Sequence, residues 1–167
     1  DANIGEVFVA AEDQEIIDDV KKNGGQAILT NNNHKTGTDR IYEALLKIGK
    51  KDVELVMNLQ GDEPLMDVND IRNLHKQMIK TKCKLGTLAS NICDEKIYYD
   101  ENTVKVITKN ELDYSKFPEA LNFVRRSSDK RENTYHHLGI YCYQFETLKK
   151  FVLFDQSQNE IENKLEQ

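Results

Sequence analysis

The run V-E-L-V-M-N-L-Q at residues 53–60 most constrains what this chain can fold into. It is almost continuously apolar, and such a strand is typical of a parallel sheet that is covered on both faces. Two further strand-like runs, at residues 6–10 and 26–30, precede it, and each is followed by apolar residues at helical spacing. The order therefore predicts a βαβαβ unit with right-handed crossovers.

The two stretches between these strands predict amphipathic helices. In the first, Ile16, Ile17 and Val20 are expected on one helical face, and the glycines at 24–25 are expected to end the helix. The second helix is expected to begin at about residue 38. Ligands of such sheets bind outside the carboxyl ends of the strands, so the loops that follow the second and third strands are candidate site loops.

The rest of the chain predicts a mixture of helix and strand. A helix is expected at 68–80, strands at 84–92 and 104–108, a β-rich run at 136–145, helices at 146–154 and from 160 onward, and a polar, irregular segment at 109–133. We expect one domain over residues 1–167.

Composition excludes several classes of function. The chain has 167 residues and a net charge of −6, which argues against nonspecific nucleic-acid binding and against docking on anionic membranes. No window is apolar enough for a membrane helix. The three cysteines, Cys83, Cys93 and Cys142, form no paired motif, which favours reduced thiols and a cytoplasmic protein.

Two carboxylates, Asp62 and Glu63, follow the third strand directly. One interpretation is a site for Mg²⁺, which takes one or two carboxylates together with the phosphate oxygens of a nucleotide. The other interpretation is a turn in which a carboxylate caps the next residues and Pro64 stiffens the loop.

The segment H-K-T-G-T-D-R at residues 34–40 is the second candidate. Gly37 allows a ligand to approach the backbone, Thr36 offers a hydroxyl, and Arg40 is suited to bidentate hydrogen bonds with a base or phosphate. The alternative is that Thr38 or Asp39 caps a helix and that Arg40 is a solvated surface residue.

A third candidate lies in the late β-rich run. Alternation places His137, Gly139 and Tyr141 on one face of a strand, where a His and a Tyr are suited to binding a sugar acid. The alternative is a sheet face with a polar edge.

Together these motifs resemble those of one enzyme family. H-K-T-G-T-D-R, L-Q-G-D-E-P, N-T-V-K-V-I, Y-H-H-L-G-I-Y-C-Y and N-E-I-E-N-K-L-E-Q occur in the order and approximate spacing of the CMP-KDO synthetases, the 3-deoxy-manno-octulosonate cytidylyltransferases. The resemblance runs from about residue 6 to residue 167. It implies a three-layer α/β/α, mostly parallel, Rossmann-like nucleotide-diphospho-sugar transferase fold with a small antiparallel β subregion for dimerisation. It also implies one partial nucleotidyltransferase domain over 1–167, with 104–145 contributing the sugar-binding and dimer-contact region.

The resemblance also implies an activity. Such an enzyme transfers CMP from CTP to the anomeric hydroxyl of 3-deoxy-D-manno-octulosonate (KDO) with Mg²⁺, releases pyrophosphate and supplies lipopolysaccharide biosynthesis as a cytoplasmic homodimer. An Arg and a His are expected to fix the sugar carboxylate. The implied residues are Asp62 for metal and catalysis, Gln60 for catalysis beside the sugar, Thr36, Gly37 and Arg40 for the nucleotide, and Gln60, Arg125, His137, Tyr141, Glu166 and Gln167 for the sugar.

This chain departs from the family pattern at two places. No stretch matches the family's opening phosphate loop, and the chain stops before the segment with a second metal-binding aspartate. We therefore expect an incomplete chain, and no turnover by a polypeptide of these residues alone. The alternatives are a cytidylyltransferase for a modified KDO, such as the 8-amino sugar, and a non-catalytic nucleotide-binding or dimer-forming remnant.

Overall fold

The computed structural model describes residues 2–61, 66–125, 132–163 and 165. Within these ranges strands and helices alternate in the first half of the chain and strands dominate the later part. The elements are β1 (Val9–Ala11), α1 (Gln14–Lys22), β2 (Ala27–Leu29), α2 (Gly37–Ile48), β3 (Leu55–Leu59), α3 (Val68–Thr81), β4 (Leu85–Ser90), α4 (Glu95–Tyr99), β5 (Lys105–Thr108), β6 (Ala120–Val124), β7 (Thr134–Gln144), α5 (Phe145–Phe151) and α6 (Gln158–Asn163).

The chain divides into two compact units. The first comprises Asp1–Leu85 and Cys142–Phe154, and the second comprises Gly86–Tyr141 and Asp155–Gln167. The long strand β7 contributes residues to both units.

The first unit begins with the predicted β-α-β arrangement. Strands β1 and β2 pair in parallel, with Val9 opposite Ala27. Ile17 of α1 is 1% exposed and forms a small core with Ala11 and Ala27. Ile16 is 48% exposed, so its expected place on the packed face is wrong, because one helical residue step turns it away from Ile17.

Helix α2 begins and ends at residues suited to those positions. Thr36 is its N-cap, and the Thr36 side chain accepts a hydrogen bond from the amide of Asp39 at 3.1 Å. Gly49 follows the helix with φ 70°, a left-handed conformation that favours glycine. Thr36 therefore caps this helix, and the alternative caps at Thr38 or Asp39 are wrong.

The third predicted strand is present but joins a different sheet. Strand β3 is hydrogen-bonded beside β7, while β1 and β2 form a two-stranded sheet among the described residues. The β3 residues are mostly half-buried rather than covered on both faces. Asn58 is the buried member of β3, and its Nδ2 has no hydrogen-bond partner in the described part of the chain.

The second unit contains an antiparallel β region. Strand β5 lies between β6 and β7, with Val106 opposite both Phe123 and Tyr135. This strand order confirms the small antiparallel subregion. The prediction that residues 109–133 are irregular throughout is wrong, because β6 lies within them. The first three β6 residues are exposed and only the last two are half-buried. This short run within a polar segment shows no alternation long enough to predict a strand.

Candidate functional site

The candidate nucleotide-binding segment lies between β2 and α2 in the first unit. Thr36 caps α2, and Gly37 is the first residue of that helix. The hydroxyl oxygen of Thr36 is occupied by the capping hydrogen bond, while its proton is available to another acceptor. The segment therefore presents a defined backbone and one hydroxyl donor.

Arg40 extends from the first turn of α2 to the carboxyl ends of two strands. Its Nη1 donates to Thr30 Oγ1 at 2.8 Å and to the Asn31 carbonyl at 3.3 Å, and its Nη2 is paired with the Glu12 carboxylate. Thr30 and Glu12 directly follow β2 and β1. Arg40 is thus not the solvated surface residue of the alternative interpretation. Its contact with a nucleotide stays a prediction.

Glu43 holds the loop before α2, and sequence reasoning missed it. Its carboxylate accepts from the backbone amide and the side-chain amide of Asn31, each at 3.1 Å, and from Lys47 Nζ at 2.7 Å. His34 Nε2 donates to the same carboxylate, because an ionised carboxylate only accepts. These contacts, with the Lys47 hydrogen bond the largest, lower the pKa of Glu43 to about 2.

The expected metal-binding residue lies outside the described residues. Gln60 and Gly61 follow β3, and Gln60 is half-buried. Asp62 and Glu63 lie in the undescribed range 62–65, and Glu166 and Gln167 also lie outside the described residues. No group of three or more His, Cys, Asp or Glu is placed to hold a metal ion in the described part of the chain. The Mg²⁺ prediction thus depends on Asp62.

The candidate sugar-binding cluster lies in the second unit on β7. His137 is 6% exposed and Tyr141 is 4% exposed, and their ring centroids are 5.4 Å apart. Phe123 of β6 meets the His137 ring edge-on at 5.1 Å. The two-residue alternation along β7 therefore brought the two predicted side chains into contact.

The side chain of His137 has one hydrogen-bond partner among the described residues, and sequence reasoning did not identify it. Its Nε2 lies 2.9 Å from the hydroxyl oxygen of Thr87 in β4. Burial lowers the pKa of His137 to about 4, and the neighbouring His136 adds to this shift. The imidazole is therefore neutral at pH 7.

We expect this burial to make the free energy of unfolding depend on pH. The unfolded chain binds a proton at His137 below the ordinary pKa of 6.5, while the folded chain does so only near a pKa of about 4. Stability is therefore fully present above pH 6.5 and is lost as the pH falls toward 4, by up to about 3 kcal/mol from this residue. Urea unfolding across this range, compared with His137→Gln, measures the effect. Equal pH slopes for the two proteins would contradict it.

Arg125, the remaining described sugar candidate, directly follows β6 and reaches the loop before β5. Its Nη1 donates to the Asn102 carbonyl at 2.9 Å. The same loop is held from inside by Lys105, which is 0% exposed and donates to the carbonyls of Asp100 at 2.7 Å and Thr103 at 2.8 Å, and to that of Arg125. Lys105 thus ties the backbone of Arg125 to this loop.

Comparison with known proteins identifies the family to which these segments belong. A model of the cytidylyltransferase family matches residues 1–167. The chain belongs to the cytidylyltransferase family.

Three similar curated proteins have the same name, 3-deoxy-manno-octulosonate cytidylyltransferase. A 3-deoxy-manno-octulosonate cytidylyltransferase of Bartonella tribocorum is 37% identical over 99% of this chain and 68% of its own length. That of Thermodesulfovibrio yellowstonii is 39% identical over 98% of this chain and 68% of its own length. That of Parvibaculum lavamentivorans is 33% identical over 100% of this chain and 65% of its own length. The chain therefore spans about two thirds of the length of these cytidylyltransferases.

A solved structure is similar to this cytidylyltransferase-family chain in fold. It is that of a CMP:2-keto-3-deoxy-manno-octonic acid synthetase complexed with CTP, and it aligns with a TM-score of 0.83 and 32% identity over 99% of this chain and 67% of that one. These matches confirm the resemblance and the predicted nucleotidyltransferase fold class. None of the helices in the described residues is both long and apolar enough to cross a membrane.

Proposed function

We propose that the protein transfers CMP from CTP to KDO and releases pyrophosphate. The observation that carries this proposal is the alignment, over almost the whole chain, with a synthetase of that name complexed with CTP. The curated relatives carry the corresponding name, 3-deoxy-manno-octulosonate cytidylyltransferase. The paired His137 and Tyr141 rings add a compact, largely buried cluster of the kind that binds a sugar.

The proposed chemistry is an attack by the anomeric hydroxyl of KDO on the α-phosphate of CTP. A new phosphorus–oxygen bond forms to the sugar, the bond to the departing pyrophosphate breaks, and the hydroxyl proton passes to water. Positioning and electrostatic stabilisation supply most of the catalysis in phosphoryl-group transfers. In this proposal Thr36, Gly37 and Arg40 bind the nucleotide.

The sugar and metal roles follow the same proposal. In this proposal Gln60 would lie beside the reacting sugar, and Asp62 would hold Mg²⁺, which would neutralise phosphate charge. The remaining sugar contacts are assigned to Arg125, His137, Tyr141, Glu166 and Gln167.

We further propose the biological setting that this reaction implies. CMP-KDO is a donor for lipopolysaccharide biosynthesis, so the protein would act in the cytoplasm, where CTP is available. The antiparallel region around β5 and β6 is the proposed dimer contact, and Leu121 of β6 is 59% exposed there.

Pyrophosphate release tests the proposed reaction. The full gene product is incubated with each of the four ribonucleoside triphosphates, with and without KDO, in the presence of Mg²⁺. We expect release only with CTP and KDO together, because the sugar hydroxyl is the nucleophile. Release with another triphosphate at an equal rate, or release that does not depend on KDO, would contradict the proposal.

A further inference from the structure

Thr87 in β4 makes three close contacts through a single hydroxyl group. Its Oγ1 lies 2.6 Å from the carbonyl of Ile140, 3.4 Å from the carbonyl of Leu138 and 2.9 Å from His137 Nε2. All of these atoms belong to the second unit. The hydroxyl therefore connects the backbone of β7 to the imidazole on that same strand.

Counting protons in these contacts settles the direction of each hydrogen bond. A carbonyl oxygen only accepts, so the contact of 2.6 Å with Ile140 requires the Thr87 proton. A hydroxyl has one proton, so Thr87 has none left for His137. Thr87 must then accept from His137, and the imidazole carries its proton on Nε2.

The other ring nitrogen is consequently an unprotonated acceptor. A second proton on the ring is disfavoured because the imidazole is 6% exposed and lies beside Phe123 and Tyr141, with no carboxylate contact among the described residues. Nδ1 has no hydrogen-bond partner in the described ranges. It is not among the fully enclosed unpaired atoms there, so part of its surface stays exposed.

We propose that Thr87 is a positioning residue that fixes His137 in its Nε2–H tautomer, so that Nδ1 accepts a hydrogen bond from a hydroxyl group of the sugar. The role toward the sugar rests on the proposed function, while the tautomer stands on the geometry alone.

This assignment changes the group that His137 recognises. An unprotonated nitrogen repels a carboxylate oxygen and binds a hydroxyl or another N–H or O–H donor. His137 therefore does not hold the sugar carboxylate, contrary to the expectation from sequence. The carboxylate is left to cationic side chains such as Arg125, whereas His137 selects a ligand that presents a donor at this position.

The tautomer is measured directly by nitrogen NMR of the histidine rings. In the full gene product, long-range proton–nitrogen correlation spectra distinguish the protonated nitrogen of each histidine ring from the unprotonated one, and His137→Gln assigns the signals of His137. We expect a single Nε2–H tautomer for His137 at neutral pH. A protonated Nδ1 with an unprotonated Nε2 would overturn the assignment.

Matched variants test the positioning role. Thr87→Val removes the hydroxyl and keeps the shape of the side chain, Thr87→Ser keeps the hydroxyl, and Thr134→Val is the control because Thr134 Oγ1 is buried with no partner in the described part of the chain. For Thr87→Val we expect mixed tautomers and a rise in the KM for KDO of about tenfold, with the KM for CTP within about twofold, as for one lost buried hydrogen bond. Thr87→Ser and Thr134→Val should both resemble the wild type.

The possible outcomes separate this inference from the proposed function. An unchanged tautomer and unchanged KM for KDO in folded Thr87→Val would overturn the positioning role, as would equal losses in Thr87→Ser. Wild-type protein that shows the expected tautomer but no turnover of KDO would overturn the role toward this sugar and the proposed function together, while the tautomer would stand. If Thr87→Val fails to fold, the wild-type spectrum tests the tautomer. A raised KM for KDO in Thr87→Ser, which keeps the hydroxyl, then overturns the positioning role.

Discussion

Replacement of Lys105 by Met is expected to lower the free energy of unfolding by about 3 kcal/mol, because several buried hydrogen bonds to a charged group are lost at once. Lys105 is 0% exposed, and its Nζ donates to the carbonyls of Asp100, Thr103 and Arg125. Three acceptors require the three protons of an ammonium, so the charged form is the one that holds this loop together. Urea unfolding of the purified variant measures the loss.

Lys109→Met is the matched control for this prediction. Lys109 directly follows β5, and its only described ion pair, with Glu119 at 3.1 Å, is exposed on both sides. Exposed ion pairs contribute little, so we expect a change within about 0.5 kcal/mol. Equal stabilities of the two variants would mean that the buried ammonium does not stabilise the second unit.

Replacement of Glu43 by Gln is expected to raise the KM for CTP about tenfold, because the loop before α2 loses the ionised acceptor that holds it. An amide presents one acceptor oxygen and two donor protons, so its nitrogen meets the N–H groups of Asn31 or His34. The contacts of one carboxylate oxygen are then lost, either those of Oε2 with the Asn31 amide and His34 or those of Oε1 with the Asn31 side chain and Lys47. Steady-state kinetics of the full gene product with each substrate varied in turn measure the change.

The kinetic pattern distinguishes a local effect from general damage. Glu146→Gln, an exposed change at the start of α5 in the same unit, should leave both KM values unaltered. The KM for KDO should change less than that for CTP in Glu43→Gln. A parallel rise in both constants, or no change in either, would contradict a specific role of Glu43 in the candidate nucleotide-binding segment.

The elements that were predicted correctly are those whose caps and apolar spacing lie within the element itself. The helix expected at 68–80 is α3, Val68–Thr81, because apolar residues recur at helical spacing behind the N-cap Asp67. The elements missed depend on distant partners. Strand β6 pairs with β5, and only Phe123 and Val124 of its five residues are half-buried. Its position as a strand therefore depends on β5, since its own run is too short to show a clear period.

The candidate site shows the same division. His137 and Tyr141 were predicted together because two-residue alternation is a local property of a strand. Thr87 and Glu43 were missed because their hydrogen-bond partners are distant in sequence. Thr87 contacts His137, 50 positions away, and Glu43 contacts His34 and Asn31, 9 and 12 positions away. One sequence feature indicates the role of Thr87. A polar residue within the largely apolar strand L-G-T-L-A-S is expected to have a hydrogen-bond partner.

The position of Lys105 in the sequence also indicates its role. A lysine between two valines in a short apolar strand is expected either at a sheet edge or in contact with buried acceptors. The structure shows the second case, and the acceptors are backbone carbonyls that no sequence pattern could identify.

Product analysis by mass spectrometry tests the proposed reaction most directly, after incubation of the full gene product with CTP, Mg²⁺ and equal amounts of KDO and 8-amino-KDO. We expect CMP attached to KDO, with one pyrophosphate released for each molecule formed. Exclusive formation of the 8-amino product would replace the proposed acceptor by the modified sugar. Binding of CTP without any CMP-sugar would contradict the enzyme assignment and would favour a non-catalytic nucleotide-binding protein.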